Sequence, residues 1–240
     1  MEENVTRLNK YIAHCGVCSR RKAADLVKAG EIMVNDEVEI NPSYMVSEDD
    51  VVKYEDKVLK LEVNKVYILL NKSKKVVTTL SDEKGRRTVI DLLGGKIRER
   101  IYPVGRLDYM TTGLLILTND GDLATKLAHP SHEVRKLYHV TLDKPILPEE
   151  LSQIEDGLEL EDGLAIVDSA KLLKGKENRE VMVQLHQGKN RIVRRIFEHV
   201  GYTVIKLDRV NYAGLTKKDL PRGWHRHLTE KEVIMLKHFT

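Results

Sequence analysis

A change of pattern near Asn64 divides the chain into two unlike parts. Residues 31–61 carry nine acidic against three basic side chains, whereas the apolar segment Val66 to Leu70 begins a series of strand-like runs. A chain of 240 residues is long enough for one small and one medium domain, each with its own core. We therefore predict two domains, residues 1–62 and 65–240, with the boundary around residues 61–65.

The first part has the pattern of a small α+β unit. Leu8, Tyr11 and Ile12 fit one helix face, and a second helix is predicted to start at an N-cap, Ser19, and to stop at Gly30. Short strand-like pieces separated by turn-forming residues follow. They are Glu31 to Val34, Glu37 to Ile40 and Asp50 to Tyr54.

Strand-like runs dominate the second part, and helical patterns interrupt them without regular alternation. This order predicts a mixed, mainly antiparallel β-sheet with flanking helices, so the whole chain is assigned to the α+β class. The predicted strands are Val66 to Leu70, Val76 to Leu80, Leu114 to Thr118, Leu137 to Leu142, Ala165 to Leu172 and Val181 to Gln184. The predicted helices are Asp122 to Ala128, Pro148 to Asp156 and Asn190 to Val200.

Composition indicates a globular protein, because 41% of the residues are hydrophobic and 32% are charged. The apolar runs are far shorter than a membrane-spanning helix requires. The opening residues, MEENVTRLNK, have no apolar core behind a basic start, so no secretory signal is expected. We accordingly expect a cytoplasmic protein and, since no coiled-coil heptads are found, a monomer.

Basic residues are clustered rather than spread evenly. Residues 1–30 hold six Lys and Arg against three acidic residues, and residues 186–240 hold twelve against five. Such clusters are typical of proteins that bind a polyanion. A solvated charged surface explains the same distribution, and composition alone leaves both interpretations open.

Two metal-site hypotheses have to be weighed. Cys15 and Cys18 form a CxxC beside His14, but no second ligand pair and no preceding strand pattern support a zinc or redox site. His129, His132 and His139 could belong to a metal-dependent hydrolase, yet they lack the tight spacing that such sites use. Incidental thiols and scattered histidines are the favoured interpretation, and no metal is expected.

The densest group of informative residues is GRLDYMTTGLLILTNDGD, from Gly105 to Asp122. Asp108 follows a Gly-Arg-Leu loop and precedes the apolar strand Leu114 to Leu117, so a rigid element anchors its position. Catalytic groups often occupy loops of this kind. On physical grounds alone, an Asp beside an Arg is more often a salt bridge or a turn former.

This segment resembles the catalytic motif of the pseudouridine synthases of the RsuA/RluB type, which read GRLD, Thr-Ser/Thr-Gly-Leu-Leu and Thr-Asn-Asp-Gly. Lys136-Leu137-Tyr138 resembles the Lys-x-Tyr of the family, and GKNRIVRRIF, from Gly188 to Phe197, resembles its third motif. Residues RLNKYIAHCGVCSRRKAADLVKAGEIMVN are similar to a small RNA-binding domain shared with a ribosomal protein. The chain departs from the family at Ile192, where Gln is common, and at Cys15, where a small residue is usual.

The resemblance implies an enzyme that isomerises uridine to pseudouridine in ribosomal RNA without a cofactor. It gives Asp108 the role of catalytic carboxylate, either as nucleophile or as base. A carboxylate in a dry pocket needs a positive partner, and Arg194 matches the Arg that pairs with this Asp in the family. Tyr138 and Val193 match the residues that pack against the target base, and Arg106 matches one that helps displace it.

The resemblance also implies an RNA-binding surface in the first domain that contacts phosphates rather than bases. Its candidate residues are Arg7, Lys10, Arg20, Arg21 and Lys22. Ribosomal RNA is then the expected partner, and the segment from Lys206 to Leu215, with Leu-Pro-Arg-Gly-Trp downstream, favours the large-subunit branch. A small-subunit synthase and a non-catalytic, RNA-binding ribosome assembly factor on the same scaffold are the alternatives.

Overall fold

The computed structural model describes residues 5–175 and 177–238. Residues 1 and 240, the outer limits of the expected domains, lie outside the described ranges. The start of the polar N-terminal stretch lies outside them as well. Between Lys65 and Val66 the chain divides into two compact units, and each is described by itself. Within the described ranges, no helix is long and apolar enough to cross a membrane.

The first unit packs two helices against short strands. Ser19 caps the second helix as predicted, because its Oγ accepts a hydrogen bond from the amide of Lys22 (3.2 Å). The core of the first unit includes Leu8, Ile12 and Val27, which are fully buried. The elements are β1 (Thr6–Arg7), α1 (Leu8–His14), α2 (Arg20–Lys28), β2 (Ile32–Val34), β3 (Glu37–Val38), β4 (Met45–Val46), β5 (Val52–Tyr54) and β6 (Lys57–Val58).

The strands of the first unit form a four-stranded sheet in the order β3-β2-β5-β6, and β1 pairs with β4. Asn35 and Asp36 join β2 to β3 with positive φ angles of 52° and 68°. Two left-handed residues between antiparallel strands give the turn whose twist matches a hairpin, and Asn and Asp tolerate that conformation best after Gly. The predicted strand Glu37 to Ile40 ends at Val38, two residues early.

The second unit is built around one large sheet, with two short 3-10 turns at Asp91–Leu93 and Pro130–His132. Its elements are β7 (Tyr67–Lys72), β8 (Tyr102–Pro103), β9 (Thr112–Thr118), α3 (Gly121–Ala128), β10 (Lys136–Leu142), α4 (Pro148–Asp156), β11 (Leu158–Leu160), β12 (Gly163–Ala165), β13 (Ser169–Leu172), β14 (Glu180–Leu185), α5 (Ile192–His199), β15 (Val204–Tyr212), β16 (Leu215–Thr216), β17 (His225–His227) and α6 (Glu230–Lys237).

The large sheet has the order β13-β14-β10-β15-β9-β7-β17, with β16 beside β15 and β8 beside β9. All of these pairs are antiparallel except β9 with β15, which is parallel. The predicted class, a small α+β domain followed by a mixed, mainly antiparallel sheet with helices, is confirmed.

Both faces of the central strands are buried, which explains their unbroken apolar runs. Leu115 and Leu117 of β9 pack on the face covered by α4 and α5, and Leu114 and Ile116 pack on the face covered by α3 and α6. The sheet is thus held between two helical layers, and its central strands have little freedom to shift. Strand β9 begins four residues after Asp108.

Close contact between β9 and β15 depends on Gly113. A Cβ atom at this position would lie 2.3 Å from the carbonyl oxygen and 2.5 Å from the amide nitrogen of Arg209. Real Cβ contacts do not become that short, and the φ angle of 110° is also one that side-chain-bearing residues avoid. Gly113 therefore allows the parallel pair that joins the two halves of the sheet.

Two strand predictions fail. Val76 to Leu80 is no strand, since Val77 makes a single isolated bridge to Thr88. Its apolar residue Val76 is buried by tertiary packing instead. Ala165 to Leu172 is interrupted, because β12 ends at Ala165 and β13 begins at Ser169. The sequence prediction also missed β15, a central strand of nine residues, and the helix α6.

Candidate active site

Asp108 lies in the loop between β8 and β9, where two connected cavities meet. The outer cleft has a volume of about 330 Å³ and is lined by Thr78, Arg106, Lys189 and Asn190, among others. The inner pocket, of about 70 Å³, shares Arg106, Lys189 and Arg191 with the cleft and is also lined by the buried side chains of Tyr138, Ile192, Val193 and Leu207. The Asp108 side chain is 36% exposed, so it is half-buried rather than enclosed in a dry pocket.

Two hydrogen bonds of the Thr78 hydroxyl and the ammonium group of Lys72 hold the backbone around Asp108. The hydroxyl of Thr78 donates to the carbonyl of Leu107 (2.7 Å) and accepts from its amide (3.2 Å). The ammonium of Lys72 donates to the carbonyls of Asp108 (3.0 Å) and Thr111 (2.8 Å). The amide of Thr111 closes the turn on the carbonyl of Asp108 (3.0 Å). The turn that carries the carboxylate is therefore fixed at both ends.

Lys72 is a fully buried lysine whose ammonium contacts backbone carbonyls, including that of Ser73 (3.1 Å). Burial lowers its pKa to about 8, while the nearby charge of Asp108 acts in the opposite direction. A buried cation is costly unless its donors are bonded, and three carbonyls satisfy the three N–H groups here. The arrangement adds a positive charge beneath the Asp108 turn.

The arginine nearest to Asp108 is Arg191, not Arg194. The Nη1 atom of Arg191 lies 3.9 Å from Oδ2 of Asp108. Arg191 has a φ angle of 48° immediately before α5, a left-handed conformation that is strained for a residue with a side chain. Such strain persists where the surrounding structure imposes it, and here it occurs beside the candidate carboxylate.

Arg194 is held by the backbone instead. Its Nη1 donates to the carbonyl of Val204 (2.7 Å). Burial and the positive charge of Arg191 lower the pKa of Arg194, while Asp108 raises it. Arg194 is thus within electrostatic reach of Asp108. The direct pairing with Asp108 that the resemblance implies for Arg194 is made by Arg191 instead.

Tyr138 lies on β10 at the inner end of the pocket and is 8% exposed. Arg209 of β15 donates a long hydrogen bond to its hydroxyl (3.5 Å) and another to the carbonyl of Leu114 (2.7 Å). Arg209 also lies over the ring of Tyr212, at 4.4 Å from the ring centre. The hydroxyl of Tyr138 therefore faces a buried guanidinium.

The other expected residues are placed as follows. Val193 and Ile192, in the first turn of α5, line the inner pocket, so the position that departs from the family is at the site. Arg106 is exposed and lines both cavities. The candidates of the first unit lie on β1, α1 and the first turn of α2, where all are exposed except Lys10, which is half-buried.

The metal hypotheses gain no support from the described residues. Among them, no group of three or more His, Cys, Asp and Glu side chains is arranged to hold a metal ion. His139 contacts Glu180 (2.8 Å) on neighbouring strands, and His129 contacts Ser131 (2.8 Å) beside a 3-10 turn. Burial raises the pKa of the Cys15 thiol to about 12, which makes it a poor nucleophile and metal ligand.

Sequence reasoning missed Lys72, Thr78, Lys189 and Arg209, and treated Arg191 only as part of a basic helix face. One signal was available for Lys72, since a lysine that ends the apolar run YILLNK on a sheet buried on both faces must find a special environment. Lys189 lies inside the segment GKNRIVRRIF that the resemblance used, whereas no local pattern reveals Thr78 or Arg209, because their partners are distant in the sequence.

Comparison with known proteins gives the family of this chain. A family model described as RNA pseudouridylate synthase matches residues 66–199, more than half of the chain. The chain belongs to that family. An S4 domain model also matches residues 6–52, in the first unit.

Relatives of this family match along almost the entire chain. Ribosomal large subunit pseudouridine synthase B of Bacillus subtilis is 45% identical over 236 residues, which cover 96% of this chain and 95% of the relative. The protein of the same name from Vibrio cholerae is 36% identical, covering 96% and 74% of the two chains. A crystal structure of a pseudouridylate synthase superposes with a TM-score of 0.67 and 28% identity, covering 96% and 99%.

The expectation of a pseudouridine synthase, an isomerase with an S4 RNA-binding domain, is confirmed by these matches. They also decide between the enzyme and a non-catalytic assembly factor in favour of the enzyme.

Proposed function

We propose that this pseudouridine synthase modifies a uridine of large-subunit ribosomal RNA and that Asp108 is its catalytic carboxylate. The observation that carries the proposal is the fixed turn at the junction of the two cavities. Thr78 and Lys72 hold the backbone on both sides of Asp108, and Arg191 lies 3.9 Å from its carboxylate. Pre-organised geometry of this kind is what a catalytic group requires.

The reaction sets clear demands on such a site. The bond between ribose C1′ and uracil N1 breaks, the base turns, and a new bond joins C1′ to C5, which gives up its hydrogen as N1 gains one. No electrons are gained or lost overall, so acid–base and nucleophilic chemistry suffice. Asp108 either attacks C1′ or removes a proton from C2′, and the proposal holds for either role.

The uridine has to leave its base stack to reach Asp108, at a cost of a few kcal/mol. We propose that the inner pocket receives the base, with Tyr138 and Val193 packing against it. At about 70 Å³ the pocket has room for roughly two water molecules, so it has to widen when a base enters. Arg191 is half-exposed, lines both cavities and lies beside the Asp108 carboxylate, so we propose that it moves aside when the base enters.

Arg106 and Arg194 have different proposed tasks. Arg106 is exposed at the mouth of the site, where it can contact a phosphate or fill the space that the displaced base leaves. Arg194 is anchored on the carbonyl of Val204, and we propose that it pairs with Asp108 once the nucleoside has displaced Arg191. This keeps a positive charge beside the carboxylate throughout the reaction.

The first unit is proposed to hold the RNA by its phosphates. Arg20, Arg21 and Lys22 form the first turn of α2, where no acidic residue is present. A helix N-terminus already carries partial positive charge, so three cations there create a strong local potential that favours an anion. With Arg7 and Lys10, which precede them in the chain, they form the proposed phosphate-binding residues.

The phosphate-binding proposal is tested by salt dependence. We expect Arg20→Ala with Arg21→Ala to weaken binding of ribosomal RNA fragments and to flatten its dependence on salt by about two phosphate contacts. Lys57→Ala with Lys60→Ala removes two exposed lysines of the same unit and serves as control. Equal slopes for the two double variants would refute the assignment.

The catalytic proposal is tested by release of tritium from RNA labelled at uridine C5, because that hydrogen is lost only when C5 becomes bonded to the ribose. We expect wild type to release it from large-subunit RNA, and Asp108→Asn to bind the RNA without releasing it. Asp156→Asn, on the exposed side of α4, should behave as wild type. Release by Asp108→Asn would refute the assignment of the carboxylate.

Mapping pseudouridines across both ribosomal RNAs tests the choice of substrate. A new pseudouridine in the small-subunit RNA alone would refute it. An enzyme with this substrate acts where ribosomes are assembled, which is the basis for proposing a cytoplasmic location. The expected monomer stays a prediction.

A further inference from the structure

A partly buried carboxylate on β15 accepts hydrogen bonds from four donor groups near the candidate active site. The side chain of Asp208 is 14% exposed. Its oxygens accept hydrogen bonds from Nη1 and Nη2 of Arg222 (2.8 Å each), from Oγ1 of Thr112 (2.8 Å) and from the ammonium of Lys217. Arg222 and Lys217 belong to the segment between β16 and β17, so a late part of the chain is fastened to the central sheet.

One branch of this cluster reaches the Asp108 turn through β9. Thr112 is the first residue of β9 and directly follows Thr111, the last residue of the turn. Asp208 and Thr112 are register partners in the parallel pair, and the Asp208 carboxylate also binds the Thr112 hydroxyl. Asp208 therefore fixes the point at which the chain leaves the turn and enters the sheet.

A second branch reaches the same turn through β7. Nη1 of Arg222 donates to the side-chain carbonyl of Asn71 and to the backbone carbonyl of Lys72 (3.4 Å). Lys72 in turn donates to the carbonyls of Asp108 and Thr111. One guanidinium thus contacts both of the strands, β7 and β15, on which the position of the turn depends.

We propose that Arg222, acting through Asp208, is a positioning residue for the reaction: it fixes the Asp108 turn and so sets the rate of the chemical step. A bidentate arginine fork is suited to this task, because two parallel hydrogen bonds fix direction as well as distance. The inference rests on the proposed role of Asp108 and concerns the rate of the chemical step rather than the binding of RNA.

The next strand, β17, provides a matched control. Arg226 makes an equivalent fork to Glu232, with both bonds at 2.7 Å and a similar exposed fraction of 33% for the arginine against 39% for Arg222. Glu232 belongs to the capping box of α6, so this pair stabilises that helix. Loss of either fork removes a bidentate arginine–carboxylate pair of similar exposure, but only the Arg222 pair is linked by hydrogen bonds to the Asp108 turn.

The experiment measures single-turnover tritium release and RNA binding for Arg222→Gln, Arg222→Lys and Arg226→Gln. Lys217 and Thr112 still bind Asp208 in Arg222→Gln, so we expect the fold to persist. At saturating enzyme, its rate constant should fall at least tenfold, with the Kd for RNA within twofold of wild type. Arg222→Lys should recover part of the rate, and Arg226→Gln should match wild type.

Three outcomes overturn the inference. The rate constant of Arg222→Gln could stay within twofold of wild type, or Arg226→Gln could lose as much. A tenfold weaker Kd at an unchanged rate constant would instead make Arg222 an RNA contact. A wild-type enzyme that releases no tritium would refute the proposed function before any variant is compared.

Discussion

Replacing Thr78 by Val tests how strongly the position of Asp108 depends on its loop. The two side chains have nearly the same shape, so the change removes a hydroxyl and leaves the packing in place. That hydroxyl makes two hydrogen bonds with Leu107, one as donor at 2.7 Å and one as acceptor at 3.2 Å. At roughly 1 kcal/mol each, their loss should lower the free energy of unfolding by about 2 kcal/mol. For a unit of this size the melting temperature should fall by about 4–8 °C.

The effect on catalysis should exceed the effect on stability. Leu107 directly precedes Asp108, and a displacement on the order of 1 Å can slow a reaction about a hundredfold. We expect kcat for tritium release to fall by about ten- to a hundredfold, with KM nearly unchanged. Thr79→Val is the matched control, because the Thr79 hydroxyl donates its hydrogen bond to the carbonyl of Ser81 (2.8 Å), at an exposed position, rather than to Leu107. If the two variants have the same kcat, the reasoning about the loop is refuted.

Two further predictions concern the sheet beneath the site. Gly113→Ala should destabilise the second unit by several kcal/mol, because its Cβ would lie 2.3 Å from the Arg209 carbonyl oxygen; a melting temperature equal to that of wild type would refute this account. Lys72 has a pKa of about 8 in the folded protein and a higher ordinary value, so between about pH 8 and 10.5 the unfolded chain holds the extra proton, and the contribution of Lys72 to stability should rise with pH by up to about 3 kcal/mol. Denaturant unfolding of wild type and Lys72→Met across that range checks it, since the difference between their unfolding free energies should grow with pH, while Lys136, whose pKa burial also lowers to about 8, contributes to both; parallel curves would contradict it.

The comparison between sequence and structure separates local from distant causes. Ser19 as an N-cap, Pro148 at the start of α4 and the strand around Leu114 to Leu117 were all predicted, because each depends on residues within one or two turns of chain. The failed strand at Val76 to Leu80 had the right apolar pattern, but no neighbouring strand pairs with it beyond the bridge of Val77 to Thr88. A pattern indicates which residues are buried, and hydrogen-bonding partners decide whether they form a strand.

By itself, the sequence determined the α+β class and, through its motifs, the family, and it predicted the two domains and the candidate residues Asp108, Tyr138 and Arg194. The tertiary structure decided which charges meet. Arg191 rather than Arg194 approaches Asp108, and Lys72 and Arg222 join the site from 36 residues before it and from beyond β16. The contacts of Lys72 and Arg222 follow from the order of strands in the sheet, which brings β7, β9 and β15 side by side, and no local pattern in the sequence encodes that order.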